Sequence, residues 1–369
     1  MPNLFLDARM IDASGIGTYL QNLIPFLKNQ IHVTLLGDPK KIEKFLDIDD
    51  LRVIPMKSPI YSPYEQMEFI LKFKDADLFW SPHFNVPIFP IKTKKRLVTI
   101  HDVFHLAFGD LYNLFERNYA KILIRSAVKL SDMIITVSNF SKSEIIKYTG
   151  IEERKIRVIY NGVDTSIFKR YEKEELEKVK EKYNLPAMFI LFVGNVKPHK
   201  NLRMGLRAFE LVLKNIDNLF FVIVGKKEGF IKGDREIFNL LERSKLRERV
   251  IFTGFVDKED LPKIYNLSSL LIFPSLYEGF GLPPLEAMAC GCPTVVSHLS
   301  SLPEICGDAS YYVDPYDLES ITEGIERVMG DENLRDTLIQ KGFLRVKDFS
   351  WEKSAKEHIE AIFELLQAS

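Results

Sequence analysis

Residues 270–289 read Leu-Leu-Ile-Phe-Pro-Ser-Leu-Tyr-Glu-Gly-Phe-Gly-Leu-Pro-Pro-Leu-Glu-Ala-Met-Ala. The apolar run Leu270 to Pro274 has the length and composition of a strand covered on both faces. A loop with two glycines follows, then a helix, because Pro283-Pro284 stands where a first helical turn loses nothing by lacking N–H groups. Strand, glycine loop and helix N-terminus together offer backbone N–H groups to an anion at the positive end of a helix dipole. The expected donors are Phe280, Gly281 and Leu282. Two carboxylates, Glu278 and Glu286, bracket the loop. Eight residues of pure helix would part them by about 12 Å, beyond the spacing of a hydrolytic pair, so separate roles are the natural reading.

The same strand-then-helix grammar recurs on both sides of this stretch. Short β-rich runs are expected at Leu4 to Asp7, His32 to Leu36, Leu51 to Ile54, Leu78 to Ser81, Leu97 to His101, Ile134 to Ser138 and Val158 to Tyr160. A second series follows at Phe189 to Gly194, Phe220 to Gly225, Val250 to Gly254, Leu270 to Pro274, Thr294 to Ser297 and Tyr311 to Val313. Apolar strands alternating with helices describe α/β architecture with parallel sheets. Two series, with the charged helix-like stretch Tyr171 to Tyr183 between them, predict two Rossmann-like domains. The expected division is 1–165 with a returning terminal helix at 350–369, and 166–349 as the second domain. Ser350 is the expected cap of that helix, whose apolar stripe is Ile359, Ile362, Phe363 and Leu366.

Composition narrows the function classes. The chain has 369 residues, 46% hydrophobic and 27% charged, which excludes a disordered or fibrous protein and suits two domains. Its 50 Lys+Arg against 51 Asp+Glu give a net charge of -1, so no nucleic-acid partner is expected. Residues 1–180 carry 27 of the basic and 23 of the acidic groups, compatible with peripheral membrane contact but short of a polybasic cluster. Three cysteines, Cys290, Cys292 and Cys306, have no zinc-type spacing and read as reduced, partly buried hydrophobes. No leader-like or membrane-spanning run stands out, so a cytoplasmic location is expected, with any membrane contact peripheral at its inner face.

In open parallel sheets ligands sit beyond the carboxyl ends of strands. After the run 189–193 comes Gly194-Asn195-Val196-Lys197-Pro198-His199-Lys200-Asn201, where Lys197 and Lys200 can neutralise a diphosphate without a metal. After the first strand comes Ser14-Gly15-Ile16-Gly17-Thr18-Tyr19. It begins like a dinucleotide fingerprint, but Leu20 replaces the third glycine and no acidic residue follows at the ribose position, so Gly15 and Gly17 suit close backbone approach better than nicotinamide binding. His101-Asp102-Val103-Phe104-His105 ends another run; His101 suits a sugar hydroxyl, or else a structural place in the core. Ser81-Pro82-His83-Phe84-Asn85 is the softer candidate. Asp47-Ile48-Asp49 and Asp75-Ala76-Asp77 spell the metal-holding Asp-x-Asp, but one lies in a charged loop and the other precedes a strand; both are set aside.

Taken together, these motifs resemble glycosyltransferase family 4, retaining enzymes of the GT-B fold, in which two Rossmann-like domains face each other and a C-terminal helix packs back on the first. The matches are the Glu278 to Glu286 segment, Gly15-Ile16-Gly17, His101-Asp102, Thr136-Val137-Ser138, Asn161-Gly162-Val163-Asp164 and Lys200-Asn201, spread over nearly the whole chain. The resemblance implies that Glu286 binds the nucleotide ribose and Glu278 the donor sugar. It implies that Lys200, with N–H groups of Gly17 and of Phe280 to Leu282, binds the diphosphate, and that His101 lies near the reacting carbon. It also implies a metal-free site without a cofactor, using a nucleotide sugar as substrate. The motifs look most like bacterial mannosyltransferases of polysaccharide assembly, which implies GDP-mannose as donor and a saccharide or lipid-linked saccharide as acceptor. His83 and His105 are the acceptor candidates. Asn195 and His199 stand where the family usually has an arginine, and Lys197 can replace only its charge. Oligomeric state and acceptor identity are not written in any motif. A UDP- or ADP-sugar transferase, an epimerase and a non-catalytic nucleotide-sugar binder are the alternative readings.

Overall fold

The computed structural model describes residues 1–73, 75–195, 197–225, 235–243 and 245–368; Val196 and Ser369, both within segments marked by the sequence motifs, lie outside them. The chain divides into two compact units, Met1–Gly162 with Trp351–Ser369, and Val163–Ser350.

In the first unit seven strands form one parallel sheet: β1 (Asn3–Asp7), β2 (His32–Gly37), β3 (Arg52–Pro55), β4 (Ala76–Ser81), β5 (Thr93–Thr99), β6 (Met133–Thr136) and β7 (Ile156–Val158), in the order β3-β2-β1-β4-β5-β6-β7. The sequence runs marked these strands but misplaced the ends of several, most clearly those of β5 and β7. β5 starts at Thr93 and stops two residues short of His101, and β7 is Ile156–Val158 rather than Val158 to Tyr160. Pairing explains both: Ala76 of β4 recruits Thr93, and Thr136 of β6 pairs Val158, so neighbours decide where a strand begins and ends. Three helices of this unit flank its polar residues: α1 (Ser14–Leu27), α2 (Pro63–Lys72) and α3 (Leu114–Leu130).

The second unit is a six-stranded parallel sheet: β8 (Phe189–Val193), β9 (Phe220–Val224), β10 (Val250–Gly254), β11 (Leu270–Phe273), β12 (Thr294–Ser297) and β13 (Tyr311–Val313), in the order β10-β9-β8-β11-β12-β13. Every residue of β8, β11 and β12 is buried, as strands covered on both faces require. Helix α4 (Leu202–Val212) turns Leu202, Leu206, Phe209 and Val212 onto that sheet, and α5 (Leu282–Ala289) follows the glycine loop after β11. The helix expected between the series is Lys173–Lys182.

The terminal helix α6 (Trp351–Gln367) belongs to the first unit and packs along α1. Its buried stripe is Trp351, Ala355, His358, Ile359, Ile362 and Leu365, whereas Phe363 and Leu366 of the expected stripe are only half-buried. The stripe is rotated because Trp351 and His358 dock on Tyr19 of α1 and Trp80 of β4.

In both sheets the strand order reverses direction at one place, between β1 and β4 and between β8 and β11. Those two switch points are where open α/β sheets leave a crevice at their carboxyl ends.

Candidate functional site

The switch point of the second unit gathers four of the residues singled out by sequence. The connection after β8 ends in a single turn of 3-10 helix, Pro198–Lys200, and Asn201 then takes a left-handed conformation (φ 55°) before α4 begins. Asn201 is buried and donates both amide hydrogens, to Pro274 O at 3.1 Å and Pro315 O at 2.8 Å. Leu276 N–H donates to His199 O at 2.7 Å. The loops after β8 and β11 are therefore laced together, which brings Lys200 to Glu278: Nζ to Oε1 is 2.6 Å, with only 18% and 11% of the two side chains exposed. The ammonium also stands 5.1 Å above the Phe273 ring. Lys197 is exposed.

The loop carrying Glu278 is held by two serines that sequence reasoning missed. Ser300 Oγ accepts from Glu278 N–H at 3.1 Å, and Ser301 Oγ donates to Glu278 O and Phe280 O at 2.9 and 2.8 Å. A pair of serines a few residues beyond a strand is too common to mark such a role. Gly281 has φ 109°, and a Cβ there would meet Leu302 Cδ2 at 2.8 Å, so only glycine fits. Leu282, not the proline pair, is the first helical residue of α5; Pro283 and Pro284 fill the next two places and bring no N–H. Of the three expected donors, Gly281 is thus the cap, Leu282 the first helical residue and Phe280 the residue just ahead of them.

Glu286 projects from α5 into the unit and accepts from Tyr265 OH at 2.9 Å. Burial pushes its carboxyl up to about 7, with the Tyr265 hydrogen bond and Lys258 pulling the other way. Near neutrality it is a mixture of acid and anion, and a ligand that donates to it selects the anion. The three thiols are fully buried rather than partly so, and burial raises Cys292 and Cys306 to about 12.

At the switch point of the first unit, His101 follows β5 by two residues. Its Nε2–H donates to Pro82 O at 3.0 Å, since a carbonyl can only accept, which leaves Nδ1 as the basic nitrogen. Its own carbonyl accepts from Ser141 Oγ at 2.9 Å, and Thr136 Oγ1 donates to Ile100 O at 2.7 Å. Thr136 thus holds the carbonyl just before His101, and Ser138 Oγ accepts from the N–H of Ser141 at 3.0 Å. Burial depresses the His101 pKa against the opposing pull of Asp102. Asp102 itself accepts from Phe104 N–H at 2.9 Å.

Beneath His101 lies a hydrogen-bond chain reaching the terminal helix. The Tyr19 ring meets His101 edge-on at 4.9 Å. His358 Nδ1–H donates to Ser354 O at 2.7 Å, so its Nε2 accepts from Tyr19 OH at 2.5 Å. Tyr19 in turn accepts from Thr99 OH at 3.1 Å, and Thr99 Oγ1 accepts from Trp80 Nε1–H at 2.9 Å. The side chains of Tyr19, Thr99, Trp80 and His358 are thereby all partnered, which makes this part of the buried network a rigid support.

Gly15 and Gly17 require a correction. Both lie in the first turn of α1 rather than in a loop, and Gly17 N–H is already committed to Ala13 O at 2.6 Å, so it is no diphosphate donor. Gly17 is needed because a Cβ would sit 2.6 Å from Ile11 O. By helix geometry the N–H groups of Gly15 and Ile16 lack an intrahelical acceptor.

The first unit also holds an ionic cluster that sequence reasoning did not single out. Arg9 grips Asp7 through Nε and a terminal nitrogen (2.9 and 2.7 Å) and reaches Glu65 at 2.7 Å. Glu65 is fully buried and accepts also from Asn85 Nδ2 at 2.9 Å. Burial works against the guanidinium charge, and Asp7 and Glu65 outweigh it. The cluster ties β1 to the loop Ser81 to Val86, which carries Pro82 and His83. The His83 ring is tilted by 37° against that of Phe84 with centroids 3.9 Å apart and lies 3.3 Å from Tyr61 OH, and burial drives its pKa down to about 3, with His101, His105 and Arg9 adding to the effect. His105 stacks on Tyr112 at 4.9 Å. A polar pair as widely separated as Arg9 and Glu65 carries no local signature.

Of the two Asp-x-Asp decoys, Asp47 and Asp49 are exposed. Asp77 is the second residue of β4 rather than ahead of it, and is used by Asn3 N–H (2.8 Å) and Lys94 (2.7 Å). Among the described residues no group of three or more acidic, histidine or cysteine side chains is arranged to hold a metal.

Two parallel α/β units, each with its polar residues at its own switch point, define the GT-B class of glycosyltransferase. The solved sucrose-phosphate synthase from Thermosynechococcus elongatus has this fold, with a TM-score of 0.80 over 100% of both chains at 22% identity. The model for glycosyl transferases group 1 matches residues 173–345, and that for glycosyltransferase family 4 matches residues 13–167. O-antigen chain mannosyltransferase B of Escherichia coli is 30% identical over 300 residues, 81% of this chain and 77% of that protein. Serotype-specific mannosyltransferase WbdA of Escherichia coli is 32% identical over 280 residues, which are 74% of this chain and 34% of WbdA. The chain belongs to the family 4 glycosyltransferases.

Proposed function

We propose that the protein is a retaining, metal-independent α-mannosyltransferase that moves mannose from GDP-mannose to a saccharide or lipid-linked saccharide. The observation that carries the reading is the Lys200–Glu278 pair at the carboxyl ends of β8 and β11, with Glu286 one helix further on. The mannosyl assignment draws on the two bacterial relatives.

Lys200 exchanges Glu278 for the diphosphate, and the freed carboxylate accepts hydroxyl groups of the donor sugar. A preorganised cation aimed at a leaving phosphate supplies stabilisation where charge develops. The N–H groups of Gly281 and Leu282 add to it at the start of α5, with Lys197 as a further point charge. Glu286, as the anion, takes the ribose hydroxyls. In the first unit His101 offers Nδ1 to a donor-sugar hydroxyl, and His83 and His105 serve the acceptor. The departing phosphate takes the acceptor proton on the face it leaves, which retains the anomeric configuration.

A nucleotide panel in EDTA tests this by thermal shift, because a ligand of the folded state raises the melting point. The expected result is stabilisation by GDP and GDP-mannose, followed by transfer of labelled mannose with an α product by NMR. Stabilisation by UDP or ADP compounds alone overturns the donor, and loss of transfer in EDTA overturns metal independence.

A further inference from the structure

The hydroxyl of Tyr265 has one use. The residue lies on the helix Leu261–Leu267, is fully buried, and packs its ring 6.2 Å from that of Phe168. Its backbone is fixed as well: Ser268 Oγ donates to Tyr265 O at 2.8 Å, and Asn266 Nδ2, next in the chain, donates to Lys169 O and Pro262 O, each at 2.7 Å. A phenylalanine would fill the same space. Among the described residues the hydrogen-bond partner of the phenol is Glu286 Oε2 alone, at 2.9 Å. Burial and the neighbouring carboxylate hold the phenol well above its usual range, so it stays protonated and donates.

The two oxygens of Glu286 are treated differently. The residue is half-buried, and among the described residues only Oε2 has a hydrogen-bond partner, which leaves Oε1 for a ligand. The other ionisable groups that act on it are Lys258, whose charge favours the anion, and the buried Cys290 thiol just past the end of α5. A glutamate has three side-chain torsions to immobilise, and a bond that fixes one oxygen beforehand removes much of that cost from ligand binding. Glu286 follows Leu282 by four residues, so its Cα stands one turn, about 6 Å along the axis, behind the start of α5. A nucleoside diphosphate presents phosphate and then ribose in the same order.

We propose that Tyr265 is a positioning residue for the donor ribose: it anchors Oε2 of Glu286 and thereby presents Oε1, already oriented, to the ribose hydroxyls. The inference rests on Glu286 being the ribose carboxylate and is independent of the base and of the sugar transferred. A tyrosine kept only for packing would affect every ligand of the unit equally.

Titration calorimetry of the full chain with GDP and with 2′,3′-dideoxy-GDP, or with the uridine pair where UDP is the nucleotide that binds, tests it. The wild-type chain should favour the hydroxylated nucleotide by about tenfold or more, because the analogue leaves the carboxylate without its donors. Tyr265→Phe should weaken binding of the hydroxylated nucleotide about tenfold and of the dideoxy analogue less than about twofold, so that the preference shrinks. Unaltered circular dichroism would confirm the fold, and the ratio within one preparation is insensitive to its folded fraction. In transfer assays the variant should raise KM for the donor with kcat nearly unchanged, the sign of binding lost from ground and transition state alike. Glu286→Gln should shrink the preference too. Equal weakening of both nucleotides by Tyr265→Phe, or an unaltered preference while Glu286→Gln reduces it, overturns the role of Tyr265 and leaves the ribose reading in place. A preference that neither substitution alters, or no preference in the wild-type chain, overturns the ribose reading itself and this inference with it.

Discussion

The two units share a parallel topology and differ in how their switch points handle charge. In the first, Arg9 pairs with Asp7 and Glu65 in the interior while Asn85 donates to Glu65, and His83, His101 and His358 are held neutral by burial. In the second, Lys200 and Glu278 keep some exposure and Glu286 is poised near neutrality. One sheet commits its charges to architecture, and the other leaves them exchangeable. A shared fold therefore does not predict which end of which sheet binds a polyanion.

The largest way to break this contrast is Glu65→Ala. Removing one partner of a buried ion pair strands the other, and a loss of about 3–5 kcal/mol in denaturant unfolding is expected. A loss below about 1 kcal/mol would mean that the cluster is not a structural support. Lys200→Ala should show a different profile, with a smaller loss in unfolding because Glu278 keeps some exposure, but a fall of about 100- to 1000-fold in mannosyl transfer. Equal falls in both measurements would erase the distinction between the units.

Acid should also separate them, with opposite signs. His83 and His358 have folded pKa values of about 3 and about 4 against an ordinary 6.5, so the unfolded chain takes up their protons first. That part of the stability is present above pH 6.5 and is lost as pH falls toward 4. Glu286 is raised from 4.5 to about 7, so its ionisation costs stability as pH rises through that window. Glu286→Gln should accordingly stabilise the ligand-free chain at pH 8 and cease to do so near pH 4.5. Calorimetry of nucleotide binding at pH 7 in buffers of different ionisation heat should register proton release that this variant lacks. A smaller effect than that of Glu65→Ala is expected from Tyr19→Phe, about 2 kcal/mol, because two buried hydrogen bonds go and His358 Nε2 loses its donor. Long-range nitrogen NMR should show His101 protonated at Nε2 and His358 at Nδ1, and only the His358 signals should move strongly in the variant.

The sheets were legible because a parallel strand covered on both faces must be a short apolar run, and the thirteen runs in the sequence correspond to thirteen strands among the described residues. The motif positions of Lys200, Glu278, Glu286 and His101 were legible for the related reason that chemistry sits just past strand ends. Local reading failed where a neighbour sets the outcome. Gly17 reads as an anion-binding glycine, yet its N–H is taken up within α1 and its missing Cβ makes room for Ile11 O.

Sequence by itself determined the two parallel α/β units, the glycine loop before α5 and the family, since each depends on residues close together in the chain. Only tertiary structure decided that Lys200 rests on Glu278, that Glu65 lies buried on Arg9, and that His358 supports Tyr19 from 339 residues away. Those partners are chosen by which strands and helices come to lie side by side, and side-chain hydrogen bonds between distant segments leave no periodicity in the chain to read.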